Sequence, residues 1–145
     1  MSKVKIAMIG AGNIANAHLE AYKSVPDAEI YAACDINEER LNETCDKFGI
    51  ERRYTDVDEM LKALPELDAA DVCVWNCSHA ECSIKALNAG LHVLCEKPMA
   101  YNAEQAEEMQ KAAEKNGKLL MIGFVLRFSG GTGEYGEDCR AVLGR

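Results

Sequence analysis

The chain has 145 residues, 48% of them apolar, which suits one domain with a sizeable core. Its 24 acidic residues outnumber 16 Lys and Arg for a formal charge of -8, which argues against a nucleic-acid or anionic-membrane partner, since either needs a net basic surface. No apolar run approaches the roughly 20 residues of a membrane span. Val4 to Ile9 is the first predicted strand, and the spacing of Ala15, Leu19 and Tyr22 predicts a helix over 13–24. Ile30 to Cys34 is the second strand. Asn37 then caps a helix with Glu38 and Glu39 in its first turn, a stripe of Leu41, Cys45 and Phe48, and Gly49 at its end. A short strand around Tyr54 precedes Asp56, which with Glu59 makes a capping-box pattern opening a helix through Val57, Met60, Leu61 and Leu64. Ala69 to Val74 is the fourth strand, a helix follows over about 80–89 up to Gly90, and Val93 to Cys95 is the fifth strand. Asn102 and Gln105 open a charged surface helix that turns Ala106, Met109 and Ala113 inward and ends at Gly117, before a sixth strand, Leu119 to Gly123.

Strands and helices alternate along the whole pattern, with short connections and near-continuous apolar strands. That predicts an α/β fold, a parallel sheet covered on both faces. Right-handed crossovers make it a doubly wound Rossmann sheet of six strands in the order 3-2-1-4-5-6. The pattern fills 1–128 as a dinucleotide-binding domain and leaves 129–145, SGGTGEYGEDCRAVLGR, as a Gly-rich tail. The start, MSKVKIAMIG, has too short an apolar core and no small-residue cleavage site for a signal peptide. Several of the seven cysteines sit inside strand-like or helix-like patterns, so reduced, mostly buried thiols and a cytoplasmic location are expected.

The first strand runs straight into Gly10-Ala11-Gly12-Asn13-Ile14-Ala15, a G-x-G-x-x-A string between strand and helix. Gly10 permits the tight turn, Gly12 lets a pyrophosphate approach the backbone, and Ala15 lets helix and sheet pack closely; the helix N-terminus supplies N–H groups for the phosphates. Asp35 follows the second strand, where a carboxylate accepts hydrogen bonds from ribose hydroxyls and repels a 2′-phosphate. NAD is therefore expected over NADP, with Asn13, Ile14 and Ile36 as further contacts. Arg40, one turn on, either softens that discrimination or lies on a solvated helix face, and the second is expected.

In an open parallel sheet the ligand lies beyond the carboxyl ends of the strands. Trp75-Asn76-Cys77-Ser78-His79 follows the fourth strand there, and Glu96-Lys97-Pro98 follows the fifth. Over residues 3 to about 128 the chain resembles the Gfo/Idh/MocA group, the glucose–fructose oxidoreductase and inositol dehydrogenase family. The strongest element is AGLHVLCEKPMA, a strand followed by E-K-P; DINEERLNE, YTDVDEML and GFVLRF also match. Of the family's T-P-N-x-x-H string, Asn76 and His79 match and the Thr-Pro pair does not.

The resemblance implies hydride transfer between a nicotinamide and a sugar, cyclitol or related polyol. It sets Lys97 beside the nicotinamide ribose and the substrate hydroxyl, where an ammonium stabilises developing alkoxide charge and takes part in proton transfer. It assigns cofactor contacts to Asn76 and His79, has Glu96 either fix the loop or contact the cofactor, and implies a cis bond between Lys97 and Pro98. Arg127 either contacts the cofactor end of the cleft or snorkels over apolar surface at a domain boundary.

The resemblance also implies a second, C-terminal domain that carries most of the substrate pocket. The 145 residues hold no such length, so a polyol is expected only where that domain is supplied. Left bare, Val125, Leu126 and Phe128 form an apolar patch through which the chain would self-associate. The competing reading is a non-catalytic NAD(H)-binding module acting as a sensor or with a partner. Cys73, Cys77, His79 and Cys82 form C-x₃-C-x-H-x₂-C, but structural zinc sites have tighter pairs borne on loops, so no metal is expected. His18, on the first helix, reads as a packing or surface histidine.

Overall fold

A computed structural model describes residues 2–125. Arg127, Leu126, Phe128 and the tail over 129–145 lie outside them. The elements run β1 (Val4–Ile9), α1 (Asn13–Tyr22), β2 (Ala28–Cys34), α2 (Glu38–Phe48), β3 (Arg52–Tyr54), α3 (Val57–Ala63), β4 (Ala69–Val72), α4 (His79–Asn88), β5 (His92–Cys95), α5 (Ala103–Asn116) and β6 (Leu120–Ile122). A short 3-10 turn, Asn76–Ser78, leads into α4.

All neighbouring strands pair in parallel, in the order β3-β2-β1-β4-β5-β6. That is the order predicted from right-handed crossovers. The period of two along β1 divides the core: Met8 faces one side with Ala15 and Leu19 of α1 and Leu41 and Cys45 of α2. Ala7 and Ile9 face the other, with Met60 of α3, Leu87 of α4 and Met109 of α5. Both sets are almost wholly buried. Burying a Leu, Met or Ile side chain contributes about 1.5–3 kcal/mol, so these two layers supply most of the drive to fold.

The helix starts are fixed by side-chain caps. Asn37, Asp56 and Asn102 each accept from the backbone N–H three residues on, at 2.9 Å. Such a cap contributes about 1 kcal/mol. α1 stops at Tyr22, short of the expected 24, because Pro26 disfavours helical geometry at Val25 and the chain closes into i→i+3 bonds from Ser24 to Ala21 and Val25 to Tyr22. β4 stops at Val72, not Val74, because β1 and β5 on either side end level with it, at Ile9 and Cys95. β2 starts two residues earlier than expected, at Ala28, paired with Val4. No helix among the described residues is long and apolar enough to cross a membrane.

Candidate functional site

β1 and β4 are neighbours in space, but their helices leave on opposite faces, so a crevice opens between their carboxyl ends. A cleft of about 440 Å³ lies there, lined by Gly10, Gly12, Asn13, Ile14, Asp35 and Ile36 among others. Six of the residues singled out in the sequence therefore share one cavity wall.

The loop after β1 is shaped by what surrounds it. Gly10 has φ of +100°, and a Cβ there would sit 2.5 Å from the Cys73 carbonyl oxygen, so a side chain is excluded twice. At Gly12 a Cβ would meet nothing within 4 Å; it would project into open space above the loop. No side chain caps α1 at Gly12, so the first-turn N–H groups stay open to an anion. The loop is braced from α2, where the Thr44 hydroxyl donates to the Ala11 carbonyl at 3.0 Å. Asn16 donates to the Gly12 carbonyl at 3.0 Å. Thr44 and Asn16 went unremarked in the sequence, since neither belongs to the G-x-G-x-x-A string.

Asp35 is buried at the end of β2 and its carboxylate is fully engaged. It accepts from the Ala11 N–H at 2.8 Å, the Asn37 N–H at 2.8 Å, and Arg40 through Nη2 at 2.6 Å and Nε at 3.1 Å. Burial alone would raise its pKa, but Arg40 and the two backbone donors outweigh burial and hold it below the usual carboxylate value. Arg40 does not point to solvent as expected. It turns back across Asp35 and lines the same cleft, because a buried carboxylate one turn away offers a bidentate partner.

On the far side, Trp75 takes the place of the proline in the T-P-N-x-x-H string. Its φ of -63° and ψ of 145° are angles a proline would hold, so the loop keeps that course without one. Trp75 lines the cleft with most of its surface exposed. Asn76 stands exposed at the head of the 3-10 turn.

His79 is not among the residues that line the cleft. It is almost fully buried, with Nδ1 2.6 Å from the Pro98 carbonyl and Nε2 3.1 Å from the Val74 carbonyl. It ties the loop after β4 to the turn after β5. The Lys97–Pro98 bond is cis. Lys97 is exposed beyond β5, one strand over from the cleft's centre, and its N–H donates to Glu96 Oε2 at 3.1 Å. The Glu96 side chain turns away from the cleft, toward α1.

The C-x₃-C-x-H-x₂-C set does not converge: His79 is committed to backbone carbonyls, Cys77 is exposed, and Cys73 contacts His18 and Asp71. The cleft's shape and donors fit a dinucleotide: an uncapped helix N-terminus, a side-chain-free approach at Gly12 and a carboxylate at the second strand's end.

Comparison with known proteins agrees with that fit. Residues 4–124 match the model of GFO_IDH_MocA, described as an oxidoreductase family with an NAD-binding Rossmann fold. The chain is 37% identical over 125 residues to the myo-inositol 2-dehydrogenase of Thermotoga maritima, covering 86% of this chain and 37% of that protein. It is 38% identical over 145 residues to the D-glucoside 3-dehydrogenase of Escherichia coli, covering 99% of this chain and 41% of that protein. Among solved structures, an Agrobacterium radiobacter oxidoreductase in complex with NAD+, L-tartaric acid and magnesium superposes with a TM-score of 0.83 at 32% identity, over 87% of this chain and 36% of that one. The chain thus spans well under half the length of the relatives it matches.

Proposed function

Since this chain belongs to the Gfo/Idh/MocA oxidoreductase family and folds as its NAD-binding domain, we propose that it serves hydride transfer between a nicotinamide cofactor and a carbinol of a sugar, cyclitol or related polyol. The observation that carries this reading is the meeting of Gly10, Gly12 and Asp35 on one cleft wall at the β1/β4 crevice, with Lys97 at the next strand's end. The cofactor, when bound, supplies the hydride acceptor.

The chain's own residues bind and orient. The N–H groups at the start of α1 take the pyrophosphate, approached over Gly12. Asp35 takes the adenosine ribose in the positions Arg40 gives up, with Ala11 and Asn37 fixing the carboxylate in place. A carboxylate there favours NAD over NADP; Arg40 narrows the preference by neutralising part of its charge. Lys97 acts as the catalytic residue, holding the substrate hydroxyl and stabilising the developing alkoxide. His79 holds the E-K-P turn against the loop after β4.

The similar relatives are dehydrogenases of inositol and glucosides, which supports the polyol class. The exposed Leu119, Met121 and Val125 support self-association along the β6 edge, which sedimentation would test. The function is tested by assaying a polyol panel with NAD⁺ in the chain joined to a family substrate domain. Turnover that Lys97→Ala removes, with NADH binding kept, supports the reading. Turnover unchanged by that substitution contradicts it, and intact binding with no turnover on any polyol favours a non-catalytic NAD(H) module.

A further inference from the structure

Behind the E-K-P turn, on the face away from the cleft, lies a cluster of side chains that the cofactor reading does not use. His18 of α1 reaches across β4 and places Nδ1 2.8 Å from Asp71 Oδ2 and Nε2 3.2 Å from Glu96 Oε1. Asp71 sits mid-strand with no exposed surface. It also accepts from the Tyr22 hydroxyl at 3.1 Å and from the Cys73 thiol at 3.4 Å. The other Glu96 oxygen accepts the Lys97 N–H. An unbroken path of hydrogen bonds thus runs from α1 to the backbone of the proposed catalytic lysine.

We propose that His18 is the positioning residue of the E-K-P turn: by bridging Asp71 and Glu96 it holds the Glu96 carboxylate inward, so that Glu96 fixes the Lys97 backbone. The inference rests on the reading of Lys97 as the catalytic group, and it adds a residue of α1 to the determinants of that group's place.

Two independent features support it. The first is Gly123, at the end of β6. A Cβ there would lie 2.7 Å from Glu96 Oε1, so the inward position of Glu96 exists only because this residue has no side chain. The second is the inventory of donors. Both His18 nitrogens face carboxylate oxygens, and only the imidazolium can donate to both. When the ring is neutral, one carboxylate loses its donor. Asp71 keeps Tyr22 and Cys73, whereas His18 is the one side-chain donor to Glu96 among the described residues. Glu96 is therefore the group released.

The hydrogen bond to Asp71 raises the His18 pKa; burial opposes it, and the charges of Asp71 and Glu96 add to the rise. Tyr22 and Cys73 stay neutral across the same range, since burial and Asp71 push both upward. The charged groups that face His18 from the elements around it are therefore Asp71 from β4 and Glu96 from the turn after β5.

The test is a pH titration of the full chain followed by ¹H–¹⁵N NMR, reading the His18 ring nitrogens and the Lys97 backbone amide. The expected result is one shared midpoint above the ordinary histidine value of 6.5, with the amide step lost in His18→Gln and the His18 midpoint lowered in Gly123→Ala. A Lys97 amide that stays flat through the His18 transition, or that keeps its step in His18→Gln, overturns the proposal. If His18→Gln fails to fold, the wild-type co-titration and Gly123→Ala decide the matter. No cofactor enters this experiment, so its failure is separate from failure of the NAD reading. If the co-titration holds while Lys97→Ala leaves turnover intact, the turn is positioned by His18 but Lys97 is not the catalytic group.

Discussion

Arg40 lies along the Asp35 carboxylate, Nη2 against Oδ1 at 2.6 Å and Nε against Oδ2 at 3.1 Å, so the acid proposed to read the ribose is itself held by a cation. An unpaired carboxylate would reject a 2′-phosphate strongly. A paired one rejects it less, and the arginine stands ready to receive the phosphate if the acid is removed.

The Asp35→Ala variant should therefore exchange cofactors. Loss of a charged hydrogen-bond acceptor costs about 1.5–3 kcal/mol, so NADH binding should weaken by roughly tenfold or more. NADPH binding should tighten, as Arg40 is freed. Paired fluorescence titrations check this, and an unchanged NADH to NADPH ratio would count against the role given to Asp35.

Gly10 and Gly12 should separate cleanly. Gly10→Ala forces a side chain onto the Cys73 carbonyl at a φ that such residues rarely adopt, a backbone cost of about 1–3 kcal/mol before the clash is counted. Thermal melts should show a marked loss of stability. Gly12→Ala meets no atom within 4 Å, so its melt should stay near wild type while NADH binding falls. Equal melting behaviour in the two variants would contradict the loop geometry.

Stability should depend on pH at both ends. His18 has a folded pKa above its ordinary value of 6.5, so its contribution is complete below that value and is lost as pH rises through the raised one. Asp35 has a folded pKa below its ordinary value of 3.8, so its contribution is complete above that value and is lost as pH falls through the lowered one. Urea unfolding across pH should show both declines, the alkaline one vanishing in His18→Gln and the acid one in Asp35→Ala.

The thiols should differ sharply in reactivity. Burial pushes Cys34 up to about 12 and both Cys82 and Cys95 up to about 11, leaving almost no thiolate at neutral pH. Cys77 is exposed on the 3-10 turn. Among the described cysteines, brief alkylation followed by mass spectrometry should label Cys77 first. Labelling of Cys34 or Cys95 at a comparable rate in the folded chain would contradict the packing.

The fold was legible because its signals are local. Alternating strand and helix periods, the caps at Asn37, Asp56 and Asn102, and the glycine string each lie within a few consecutive residues. The pairs that refine the site are not local in that sense. Arg40 reaches Asp35 by a choice of rotamer, and periodicity cannot tell that from a solvated arginine. His18 meets Asp71 and Glu96 only because the sheet order sets β4 beside β1 and β5 next beyond it. One signal was present: Asp71 stands inside an otherwise apolar strand, and a buried carboxylate there demands donors from a neighbouring element. The spacing of His18 and Tyr22, one helical turn apart, supplies them.

The central claim is a dinucleotide in the β1/β4 cleft, and the most direct measurement uses Trp75, the chain's single tryptophan, on the wall of that cleft. Titrating the chain with NADH while following tryptophan emission should give saturable quenching with energy transfer to the nicotinamide. NADPH should bind more weakly, and Gly12→Ala should weaken the NADH response. Saturation by neither nucleotide, with the chain folded, would contradict the account at its root.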